Sequence, residues 1–184
     1  MSNIIDPENT QDRALDFNAR ARIFAALARL QDARDQAAGL AAIREVAALL
    51  GSEEVAVFKA DQRKAVLWLY WCVGVDPNRY VCLDAAREPG LASVLNGRIV
   101  FSGVKSDERL LSLPDPVSAM IPILVNGKVA GVIVIFRLLP QKIALNAADR
   151  HACHVLSTRA SRAIQPMTDN HDAIEEDKEN GRSA

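Results

Sequence analysis

Two apolar runs, 117–125 and 129–138, meet across Asn126-Gly127-Lys128, and no other stretch restricts the fold of this chain as much. Asn and Gly both accept the left-handed backbone that a tight reversal needs, so the pair predicts an antiparallel hairpin. A second hairpin is predicted upstream. Residues 54–60 are short and β-rich, the polar 61–64 reverse the chain, and 65–73 read AVLWLYWCV. That last run has no polar face, which predicts cover on both of its faces.

Helical periodicity frames the hairpins. From Leu15, the apolar residues Phe17, Ala21 and Phe24, and then Ile23, Leu27 and Leu30, recur at spacings of three, four and seven. Alanine and arginine between them favour helix. The polar stretch 31–35 interrupts this rhythm, leaving either two helices or one long helix with a break. The pattern resumes through Leu40, Ile43, Val46, Ala47 and Leu50 and stops at Gly51-Ser52. Glu88-Pro89-Gly90 opens a short helix. Residues 98–101 then form a brief strand, and 102–116 a long polar loop of the kind that often carries function. A last helix spans 147–164 and buries Ala152, Val155, Leu156, Ala160 and Ala163. This order predicts an α/β fold: a central antiparallel sheet with a helical layer on one face and an irregular cap on the other.

A chain of 184 residues suits one domain. Its net charge of −1 argues against a general nucleic-acid binder, which needs a basic face. Residues 167–184 hold six acids against two bases, a net of −4, and few apolar groups. They are expected to be a disordered acidic tail. Residues 1–14 are expected to be a flexible arm, leaving 15–166 as the domain. There is no apolar run of about 18 residues to span a membrane, and the polar, acidic N-terminus does not resemble a signal peptide. The expected location is the cytoplasm, where Cys72, Cys82 and Cys153 are free thiols.

The stretch SAMIPILVNGKVAGVIVIF, followed by ALNAADRHACHVLSTRASRAI, resembles the closing half of a GAF domain. PGLASVLNGRIVFS is similar to that family's middle helix and strand, and AALLGSEEVAVFKAD to its first helix-to-strand entry. The terminal helix and the PILVNGKVAGV hairpin favour GAF over the related PAS fold. The resemblance covers about 15–164 and rests on glycines, a proline and apolar pattern, features that identify fold better than function. It implies a small-molecule pocket on the cap side of the sheet. If Ala56 and Phe58 face that pocket, strict alternation sends Trp68, Tyr70 and Cys72 there too. Phe58, Trp68, Tyr70 and Cys72 are thus the candidate ligand contacts, with simple filling of the cavity as the alternative.

Some stand-alone GAF proteins reduce free methionine sulfoxide with cysteines around the pocket. Cys72 and Cys82 are the candidate pair here, but Ala92 and a cysteine-free 102–116 loop stand where that pattern places its thiols. A reactive thiol also needs a neighbour that lowers its pKa, and only Arg79 suggests itself. His151 and His154 share a helix face, yet no second ligand pair supports a zinc site. The cyclic-nucleotide signature of GAF domains and a phosphate-binding glycine loop are both missing. Arg137, ending an apolar strand, is expected to pair with Asp107 or Glu108, to mark a binding surface, or to reach water.

These features are expected to make a non-enzymatic signalling or regulatory module. It dimerises through the first helix (Phe17, Ile23, Phe24, Leu27 and Leu30), acts on a separate partner protein, and has a small molecule as candidate ligand. A thiol redox enzyme and a ligand-free scaffold are the alternatives. No cofactor or metal is assigned, and neither nucleic acid nor membrane is an expected partner.

Overall fold

The computed structural model describes residues 7–105, 107 and 113–164, with side chains from Asn18 onward. Helices α1 (Pro7–Asp32) and α2 (Gln36–Leu49) precede strands β1 (Val55–Asp61) and β2 (Val66–Val73). A single 3-10 turn at Pro77–Arg79 leads to β3 (Cys82–Asp84), helix α3 (Pro89–Leu95) and β4 (Val100–Phe101). The hairpin β5 (Ala119–Val125) and β6 (Lys128–Ile135) and helix α4 (Ala147–Arg159) complete the chain. Both predicted hairpins are present. Asn126 and Gly127 take φ values of 51° and 76°, the left-handed pair expected of that turn.

The break after α1 produces two helices. Asp35 caps α2, its carboxylate accepting a hydrogen bond from the Ala38 N–H at 2.8 Å. Helix α1 starts at Pro7, eight residues before the expected Leu15. Proline lacks the N–H that a first turn leaves unsatisfied, and Glu8, Gln11 and Arg13 are adequate helix formers, so the lack of apolar residues does not prevent helix. The rest of the expected arm (1–6) and the acidic tail lie outside the described residues.

The six strands run in the order β3-β2-β1-β6-β5-β4, with every pairing antiparallel. Alternation divides the interior into two cores. Val55, Val57, Ala119, Ile121, Ile133 and Ile135 face α1, α2 and α4. Ala56, Phe58, Met120, Val132 and Val134 face the cap built by α3 and the loops. Gly131 sits where a Cβ would collide with the Phe58 carbonyl and the Ile164 side chain, so its bareness lets the segment that follows α4 settle onto β6. Ser157 of α4 donates to the Pro122 carbonyl at 2.6 Å.

Two expectations fail in the helical layer. Ile23, Leu27 and Leu30, assigned to a dimer contact, are buried in the chain's own core. Helix α1 packs on both α2 and α4, so a stripe too wide for one neighbour is taken up by two. Phe24 remains 45% exposed beside His151, and the Phe17 side chain lies outside the described residues. Strand β2 is not covered on both faces either. Only Leu67 is buried, whereas Trp68 is 47% and Tyr70 37% exposed, because the helices lie over β1, β6 and β5 and reach β2 only at its Trp71–Val73 end.

Candidate functional site

A β-bulge decides which side chains share the cap face. Ala56 pairs with Cys72 and Val57 with Trp71, but Phe58 pairs with Leu69, so Tyr70 is the extra residue. Before the bulge, Leu67 and Leu69 point to the cap with Phe58; after it, Cys72 does, with Ala56. Trp68 pairs with Lys59, and so takes the helix-side face that Trp71 also occupies. Of the four candidate ligand contacts, the structure brings Phe58 and Cys72 to one face. Strict alternation had placed Trp68 and Tyr70 there as well; one inserted residue cancels that result.

On the cap side the described residues pack into an apolar core. Phe58, Tyr80, Leu91, Met120 and Phe136 are all fully buried in a single apolar cluster. Tyr80 is the central piece, its ring centroid 5.1 Å from that of Phe136. Its hydroxyl donates to Asp115 Oδ2 at 2.5 Å and accepts the Asp115 N–H at 3.1 Å. Asp115 Oδ1 accepts from Arg79 Nη1 at 2.8 Å. This clasp ties the segment after β2 to the loop before β5. Sequence reasoning missed it because Pro77-Asn78-Arg79-Tyr80 has no apolar period and Asp115 lies in a polar loop.

Burial pushes the Tyr80 phenol up to about 12, helped by its hydrogen bond to the Asp115 carboxylate. That same bond, ahead of Arg79, holds Asp115 below its ordinary value. A raised folded pKa for Tyr80 contributes stability that is complete below the unfolded value near 10 and lost as pH climbs toward 12. Urea unfolding between pH 9 and about 12 is therefore expected to show a falling alkaline limb that flattens in Tyr80→Phe. An identical limb in that variant would place the titration elsewhere.

The thiols are far apart. Cys82 pairs with Trp68 and Cys72 with Ala56, so they sit on opposite faces and four β2 residues apart, about 13 Å. Disulfide exchange needs Cα atoms within about 7 Å. Burial, and then the charge of Asp76, raises the Cys72 thiol pKa. Cys153 is buried in the helix-side core, and desolvation pushes it up to about 12. His151 and His154 pack against Phe24 and Phe101, each with ring centroids 6.2 Å apart. Asp107 pairs with Arg98 and accepts the Phe101 N–H at 3.0 Å. The Arg137 side chain is exposed, and its carbonyl accepts the Ser52 hydroxyl.

The described residues also form depressions on the outer surface. One, of about 430 Å³, lies between α3 and the β1–β2 turn and is lined largely by alanines. Another is a groove of about 630 Å³ running along α2, with Trp71 as its far wall.

No family model matches the chain, and no match is found among curated proteins. Solved structures do match. The GAF domain of an Acinetobacter phosphoenolpyruvate-protein phosphotransferase is 19% identical, with a TM-score of 0.59 over 90% of this chain and 95% of its own. The GAF domain of the Coxiella burnetii phosphoenolpyruvate-protein phosphotransferase is 13% identical, with a TM-score of 0.61 over 82% and 98%. Free methionine-R-sulfoxide reductase from Neisseria meningitidis, solved with its substrate, is 18% identical, with a TM-score of 0.55 over 80% and 91%. The fold of this chain is that of GAF domains. No helix among the described residues is long and apolar enough to cross a membrane.

Proposed function

We propose that this chain is a non-enzymatic regulatory module of the GAF kind, which dimerises and acts on a separate partner protein in the cytoplasm. The observation that carries this reading is the closed cap face. Phe58, Tyr80, Met120 and Phe136, all fully buried, pack together on the sheet face where the resemblance to GAF domains implies a small-molecule pocket. What is left for function is surface: exposed aromatics on β2 and the groove along α2. Two of the solved structures it is similar to are GAF domains from phosphoenolpyruvate-protein phosphotransferases, and we read this chain likewise as a module that serves another protein. The filled cap favours the ligand-free form of this reading over small-molecule sensing through Phe58 and Cys72.

The methionine sulfoxide reductase among the neighbours keeps an enzymatic reading in view. Thiol chemistry of that kind needs an accessible thiolate with a second thiol within reach. Cys72, with its raised pKa, and Cys82, on the opposite face, do not provide it. Purified protein supplied with a dithiol reductant and free methionine sulfoxide is expected to turn over at the background rate. Turnover abolished by Cys72→Ser would overturn the regulatory reading.

A further inference from the structure

Helix α2 carries an exposed stripe formed by Ala37, Ala41, Arg44 and Ala48, at spacings of three and four. Trp71 stands across from this stripe, and Leu40 lies between them. Trp68, brought to the same sheet face by the bulge, extends the apolar surface outward. The helical layer leaves this corner of the molecule open.

We propose that a second copy of this chain docks here, with α2 antiparallel to its counterpart. The proposal rests on the dimerising reading above and gives it a location. Charge decides both the occupant and its direction. Arg44 and Glu45 straddle the midpoint between Ala41 and Ala48. A two-fold axis at that midpoint sets Arg44 of each copy against Glu45 of the other, and Ala41 against Ala48. A parallel approach would instead stack Arg44 on Arg44. Glu45 is already paired with Arg29, whose Nε donates to it at 3.1 Å, so its carboxylate is positioned in advance. Alanines let two helices approach to about 8 Å, and Trp71 supplies an aromatic anchor on each side. With a net charge of −1, two copies repel each other little.

Sedimentation equilibrium of the full chain tests this. Arg44→Glu and Glu45→Arg are each expected to raise the dimer dissociation constant roughly a hundredfold, since each faces like charges across the axis. An equimolar mixture of the two restores opposite charges at both contacts and is expected to form a heterodimer. Phe24→Asp, on the outer side of α1, leaves association unchanged. Both charge positions are exposed, and far-ultraviolet circular dichroism is expected to show every variant folded. A dimer that ignores both charge reversals, or that dissociates in Phe24→Asp, overturns this interface while leaving the dimerising reading in place. A parent chain that is monomeric at every concentration overturns both.

Discussion

Leu27→Ala is expected to lower the unfolding free energy by about 3 kcal/mol, within the 2–5 kcal/mol span of buried leucine truncations. Leu27 is fully buried where α1 crosses α2 and α4, so the change removes apolar contact on several sides. Alanine is the better helix former, and no loss of helix propensity confuses the result. The melting temperature should fall by about 6–12 °C for a domain of this size. Urea unfolding at two protein concentrations discriminates between an internal and an intermolecular role. A core residue costs the same at both, and the variant keeps its parent's state of association. Near-parental stability together with altered association would return α1 to an interface role.

Phe136→Ala is expected to cost about 3–5 kcal/mol, the range for a buried phenylalanine. The ring is fully buried, packs against Tyr80, and belongs to the cluster that closes the cap face. Removing it should open a dry, apolar cavity, and such cavities take up small aromatic molecules. Benzene or toluene should then raise the variant's melting temperature while leaving the parent's unchanged, by binding the folded state alone. A loss below about 1 kcal/mol would mean that the cap space is already open in the native protein, and ligand sensing would regain its footing.

Local pattern accounts well for the elements themselves. The Asn126-Gly127 turn, the 61–64 reversal, the proline-led α3 and the apolar spacing of α4 are short-range signals, and each element appears where its residues call for it, except that a turn at Ala160 ends α4 short of the expected 164 and Val155 is only half-buried. The resemblance carried by SAMIPILVNGKVAGVIVIF extended this to the whole architecture, because glycines and an apolar strand pattern recur wherever the same sheet is built. The Cys72 and Cys82 positions were legible as numbers but not as geometry; ten residues of chain include a turn whose path only the folded molecule sets.

What the sequence by itself determined is the identity, order and type of these elements, since hydrogen-bonded periodicity and turn conformation depend on neighbouring residues. What only the tertiary structure decided is which faces meet. The bulge at Tyr70 reverses the phase of β2 against its hairpin partner β1, and so moves Trp68 to the helix side. The apolar stripe of α1 is spent inside the molecule because two helices, not one, lie beside it. Tyr80, in a stretch with no period at all, becomes the centre of the cap because Asp115, 35 residues on, satisfies its hydroxyl. Each of these outcomes depends on how one element pairs or packs with another, and apolar period along the chain holds no record of that.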